Sequence, residues 1–169
     1  QAREYKFQFI QEICENYDID GLELDFMRHP SFFKLYETSV EQRKKIMKDF
    51  VCRVRTILNQ TSKAGQHRWL CVRVPNHLEC HDMLGIDLSE WVKAGVDMVD
   101  LSSWFYTDQQ GDFKEIGQMI PDTPKYIEMT HCACIGHLVG VGYDNYTFRR
   151  TTDEQFYTTA HLAYSRGYA

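Results

Sequence analysis

The stretch 18-DIDGLELDFMRHP-30 sets two acids, Glu23 and Asp25, inside an otherwise apolar run. Its pattern reads as a short buried strand, and on a strand residues two apart point to one face. Leu22, Leu24 and Phe26 then project one way, and Gly21, Glu23 and Asp25 the other, with Arg28 and His29 just past the strand's end. Several acids buried together are costly unless cations or substrate groups pair with them. The question for the rest of the chain is what Glu23 and Asp25 are aimed at.

Outward from this strand the chain alternates helix and strand. Residues 2 to 16 have helical periodicity, with Tyr5, Phe9 and Ile13 on one face. A helix is predicted from near Val40 to Ala64, entered through Thr38 or Ser39 and left at Gly65. RWLCVRVP (68–75) is a strand closed by Pro75, and IDLSEWVKAG (86–95) a helix with Asp87 or Ser89 at its start and Gly95 at its end. VDMVDLSSWF (96–105) and KYIEMTHC (125–132) are further strands, separated by a short helix over 112–120. Residues 151–167 form a last helix, capped by Thr152 or Asp153.

Strands alternating with helices imply right-handed crossovers and a parallel sheet. A nucleotide-binding doubly wound sheet normally carries a glycine-rich turn after its first strand, and none follows Phe26. Each strand instead finishes in polar residues: Glu23 and Asp25, Arg73 and Asn76, Asp100 and Ser102, Glu128 and His131. Active sites at the C-terminal ends of several strands belong to (β/α)8 barrels. The fold expected is therefore α/β, part of a TIM barrel. A whole barrel has eight strands in about 250 residues. Four strands in 169 residues lead us to expect one incomplete barrel domain over residues 1–169, beginning inside a larger protein, with bare sheet edges through which copies could self-associate.

Composition narrows the partners. A net charge of −5 argues against nucleic acid or an anionic membrane surface. No apolar run approaches the roughly 20 residues of a membrane span, and the first residues lack the layout of a signal peptide. Ten Tyr, ten Phe and three Trp exceed a minimal core and suit a site that stacks on ring-shaped ligands. Six cysteines leave the redox compartment open, and Asn59-Gln60-Thr61 and Asn145-Tyr146-Thr147 match the glycosylation acceptor pattern.

Strand parity gathers the chemistry. Cys71 and Arg73, Asp100 and Ser102, and Tyr126, Glu128 and Thr130 fall on the same face as Glu23 and Asp25. Four successive strands thus aim Glu23, Asp25, Arg73, Asp100 and Glu128 at one cavity. Close like charges raise at least one carboxyl pKa. A raised carboxyl beside an ionised one is what glycoside hydrolysis uses: general acid on the leaving oxygen, and nucleophile or base for water.

YDIDGLELDFMRHP (17–30) resembles the dYdVDGihlDYiRyP stretch of the glycosylhydrolase-like barrel proteins, and IDLSEWVKAGVDMVDLSSWF (86–105) resembles their segment leading into the sixth strand. The resemblance implies a carbohydrate-active barrel whose strands four to seven are visible here. It matches Asp25 to the motif's aspartate and Arg28 to its arginine. His29 departs from the motif's usual tyrosine, and Glu23 stands where the motif often has a non-acidic residue. In retaining glycosidases of this architecture the two catalytic carboxylates end strands four and seven. That gives Asp25 or Glu23 with Glu128, and Asp25 with Glu128 as the preferred pair. Arg28, His29, Arg73, Asn76, Asp100 and Trp104 are the candidate substrate-binding residues, Trp104 at the rim where an indole can stack on a sugar. The resemblance also implies a secreted or periplasmic setting. No cofactor is called for.

Two other readings stand beside this one. A non-catalytic carbohydrate-binding barrel would keep the cavity and use Asp25, paired with Arg28 or Arg73, as scaffold. A metal-dependent hydrolase would draw on NHLECHD and HCACIGH, where Cys80, His81, Cys132 and Cys134 could ligate zinc, with His77, His131 and His137 nearby. A disulfide from Cys80 to Cys132 or Cys134 and free thiols are the alternatives at those positions. Trp69 and Trp91 read as packing residues.

Overall fold

The computed structural model describes residues 2–27, 32–103, 111–129, 132–134 and 148–166. Strands β1 (Gly21–Asp25), β2 (Trp69–Pro75), β3 (Met98–Ser102) and β4 (Lys125–Ile127) form one sheet, all parallel, in the order β1-β2-β3-β4. Strands laid down in chain order without reversal are the arrangement of successive staves in a (β/α) barrel; a doubly wound sheet reverses its order at a switch point. Helices α1 (Ala2–Asn16), α2 (Val40–Thr61), α3 (Glu79–Leu84), α4 (Leu88–Lys93), α5 (Phe113–Met119) and α6 (Asp153–Ser165) accompany them. Among the described residues no helix is long and apolar enough to cross a membrane.

The alternation along the strands decides which face the helices cover. Leu70, Val72 and Val74 of β2 and Val99 and Leu101 of β3 have no exposed surface, while Cys71, Arg73 and Asp100 between them are half-buried. The buried row joins Cys14 of α1, Val51, Val54 and Leu58 of α2, Trp91 of α4, Phe113 and Ile116 of α5 and Ala163 of α6 in one cluster. Each buried Val, Leu, Ile or Phe among them contributes about 1.5–3 kcal/mol relative to exposure. The other row of the sheet carries the polar residues.

Local signals explain the helix ends. Ser39 Oγ accepts from the Gln42 N–H at 3.2 Å while Gln42 Oε1 accepts from the Ser39 N–H at 2.8 Å, a reciprocal box that starts α2. Thr152 and Gln155 make the same box before α6, and Asp87 accepts from the Glu90 N–H at 3.1 Å before α4. Gly95, at φ +102°, turns the chain from α4 toward β3. The α2 helix ends at Thr61, three residues before the predicted Ala64, with Ser62 already extended.

Two expectations are corrected, the single strand over 125–132 and the packing of Trp69, and two features are added. Helix α3 was not foreseen; its six residues are too few to show a period, and Gly85 closes it at φ +73°. The strand predicted over 125–132 divides into β4 and a separate segment, β5 (Cys132–Cys134), which pairs antiparallel with β6 (Phe148–Arg150) in a second sheet. On α1, Tyr5, Phe9 and Ile13 do share a face, but they are exposed; Phe7, Ile10 and Cys14 pack on the core instead. Trp91 is buried against Phe26, whereas Trp69 is 50% exposed and meets only the edge of the His67 ring among the described aromatic contacts.

Candidate active site

The register builds the site. Glu23 lies opposite Cys71, Asp25 opposite Arg73, Arg73 opposite Asp100, and Asp100 opposite Tyr126. Because parallel neighbours keep the same side-chain parity, these residues emerge on the sheet face away from the core cluster. Glu128 follows β4, and its N–H donates to Leu101 O at 2.9 Å, extending the ladder by one residue.

Arg73 is the centre of this face. Its Nε donates to Glu128 Oε2 at 2.8 Å, and its Nη1 donates to Asp25 Oδ2 at 2.9 Å. Its Nη2 donates to Ser102 Oγ at 2.9 Å and also to Glu128 Oε2. The Ser102 hydroxyl in turn donates to Glu128 Oε2. The planar fork of a guanidinium suits this multiple engagement, since it presents five donors in fixed directions. Asp25 is fixed from behind as well, its Oδ1 accepting from the Met27 N–H at 2.7 Å. One cation therefore joins the end of the first strand to the end of the fourth. Ser102 was placed on this face by parity but not singled out; its bond to Glu128 makes it part of the site.

Asp100 is in a different position. Burial, then the charges of Glu23 and Glu128, push its carboxyl up to about 7, with Arg73 opposing and Asp25 adding to the rise. The neighbouring Cys71 thiol is pushed up to about 12 by burial and by Glu23. Asp100 and Cys71 thus lie among acids, with Arg73 the cation beside Asp100.

The remaining predicted residues divide. Asn76 is 2% exposed and serves the frame: its N–H donates to Ser102 O at 3.0 Å, and its carbonyl accepts from the Asp112 N–H at 2.9 Å. Gly111 packs so closely that a Cβ there would lie 2.7 Å from Asn76 Nδ2. The Asn76 side chain is buried, and its Oδ1 has no hydrogen-bond partner among the described residues. Arg28, His29 and Trp104 lie outside the described residues.

Among the described residues no group of three His, Cys, Asp or Glu side chains is placed to hold a metal. His81 is buried and its Nε2–H donates to the Pro75 carbonyl at 2.8 Å; burial holds its pKa below the usual histidine value. Cys80 is a free thiol, as are Cys14, Cys52 and Cys71. His131 and His137 lie outside the described residues, as do the side chains of Cys132 and Cys134.

What this arrangement can do follows from its charges. Two carboxylates held by one cation suit attack on, or stabilisation of, a carbon that becomes positive. A third carboxyl that keeps its proton near neutral pH suits protonation of a leaving oxygen. Comparison of the chain with protein-family models and with curated proteins returns no match.

Proposed function

We propose that this chain is part of a glycoside hydrolase-type barrel that cleaves glycosidic bonds of a poly- or oligosaccharide with paired carboxylates. The observation that carries the reading is the bridge from Asp25 through Arg73 to Glu128, which ties acids of the first and fourth visible strands into one group on the open face. Glycosidases need carboxyl groups facing one another across the scissile bond, and the resemblance of residues 17–30 to the glycosylhydrolase-like barrel motif points to the same chemistry. Arg73 and Ser102 hold Glu128 in place, and the exposed edges of Glu23 and Asp25 leave room for a sugar.

The test is hydrolysis of a glycan panel by the full-length protein, with Asp25→Asn and Glu128→Gln as variants. Each substitution is expected to abolish turnover while sugar binding survives. Wild-type turnover in both variants would remove these acids from the mechanism.

A second reading is a carbohydrate-binding barrel without catalysis. It is favoured by one observation: Arg73 pairs with both acids at once, as a scaffold cation would. Saturable binding of a glycan by the wild-type protein, with no product released, would select it.

A further inference from the structure

Resting on the glycosidase reading, we propose that Asp100 is the general acid of this face, and that Asp25 and Glu128, the two acids bridged by Arg73, are its counterparts. The assignment reverses the expected roles, in which Asp100 only binds substrate and one of the outer acids carries the proton.

The geometry separates the acids by their partners. Asp25 takes a hydrogen bond from Arg73 at 2.9 Å and another from the Met27 N–H at 2.7 Å. Glu128 takes bonds from Arg73 and from Ser102. Both of these carboxylates thus have a guanidinium as a charge-assisted donor. Asp100 stands directly opposite Arg73 in the ladder, yet the fork of Arg73 is directed to Asp25, Ser102 and Glu128. Among the described residues no side chain donates a hydrogen bond to the Asp100 carboxyl.

The groups around Asp100 come from the two flanking strands, β2 and β4, and from β1 beyond β2. Glu23 and Asp25 approach from β1, Cys71 and Arg73 from β2, and Glu128 from the end of β4, with Tyr126 as its register partner on that strand. Arg73 is the cation in this set, and it is engaged by two carboxylates. Half-buried among three other acids, Asp100 is the member for which a proton is the least costly counter-ion.

The step balances. Asp100 gives its proton to the glycosidic oxygen as the bond from that oxygen to the anomeric carbon breaks, the electron pair leaving with the oxygen. Water's oxygen then bonds to the anomeric carbon, and the proton it loses passes by way of a carboxylate of the set to Asp100, restoring the starting state.

Two measurements on the full-length protein test this. A carbon-detected NMR titration of aspartate carboxyls, assigned through their own side-chain carbons, is expected to show Asp100 titrating near 7. Asp100→Asn is expected to lower turnover of unactivated glycosides about 10²–10⁴-fold. The same variant should lose far less on aryl glycosides whose leaving group needs no proton. Titration of Asp100 in the ordinary range near 4 overturns the assignment without any activity measurement, and so holds even if the variant does not fold. Wild-type rates on unactivated glycosides in Asp100→Asn overturn it too, and leave the glycosidase reading standing. Absence of hydrolysis by the wild-type protein removes that reading, and the assignment with it.

Discussion

Arg73 Nη1 lies 2.9 Å from Asp25 Oδ2, and this ion pair crosses from the second strand to the first at the end where the site is built. The Arg73 side chain is only 15% exposed, so the pair is sheltered more than an ordinary surface bridge. Removing the guanidinium would leave Asp25 and Glu128 facing one another without their shared cation.

Arg73→Met is therefore expected to cost about 2–3 kcal/mol, the scale of hydrogen bonds to charged groups lost from a sheltered site. Arg73→Lys should recover only part of this, because a single ammonium cannot reproduce the fork that holds Asp25, Ser102 and Glu128 in separate directions. Urea midpoints of the two variants check the point. A lysine variant as stable as wild type would show that charge alone suffices.

Gly21 sits where the first two strands meet most closely. A Cβ there would lie 2.2 Å from the Trp69 carbonyl oxygen and 2.8 Å from its nitrogen. That backbone cannot move aside freely, since the Trp69 N–H donates to Asp20 O at 2.8 Å. Gly21→Ala should lower stability by about 3 kcal/mol, the upper range for forced overpacking. Gly65→Ala is the comparison: its φ is +78° but nothing lies within 4 Å, so about 1 kcal/mol is expected. Equal thermal midpoints for the two variants would contradict this account.

The strand parity of GLELD, WLCVRVP and MVDLS is enough to place Glu23, Asp25, Arg73, Asp100 and Ser102 on one face, because period two leaves no other choice once Leu70, Val72, Val74, Val99 and Leu101 are buried and Leu22 and Leu24 pack beside them. The caps at Ser39, Asp87 and Thr152 were legible for the same local reason. What periodicity does not carry is who bonds to whom. The choice of Arg73 for Asp25 and Glu128 rather than for Asp100 depends on the direction of one fork across three strands. The burial of Asn76 depends on Gly111, thirty-five positions away in sequence and in contact only through the fold. Tyr5, Phe9 and Ile13 mark an apolar stripe, but a stripe does not say whether the sheet or another surface receives it.

The thiols should react in an order set by burial. Cys14 is 1% exposed and burial raises its pKa; Cys71 is pushed up to about 12 by burial and Glu23. Thiolate is the reactive form. Iodoacetamide at pH 8 should therefore spare Cys14 and Cys71 until urea is added, while the half-buried Cys52 on α2 is modified first of these three. Peptide-resolved mass spectrometry reads the order, and rapid labelling of Cys71 in the folded protein would be inconsistent with its placement between Glu23 and Asp100.

Asp100 also predicts how stability changes with pH. Its carboxyl ionises near 3.8 in the ordinary case and is pushed up to about 7 in the folded protein. Between those values the folded state holds a proton that the unfolded chain has released, so stability falls as pH rises through that window. Above it the full cost of a charged Asp100 is present, lessened by the solvent that reaches its half-buried side chain. Asparagine has nearly the same shape and no charge. Asp100→Asn should thus be more stable than wild type at pH 8 and close to it at pH 4, in urea midpoints measured at both. An advantage that is the same at the two pH values would mean that Asp100 does not change its charge between them. A gain confined to pH 8 would mark Asp100 as a residue kept at the expense of stability, as site residues commonly are.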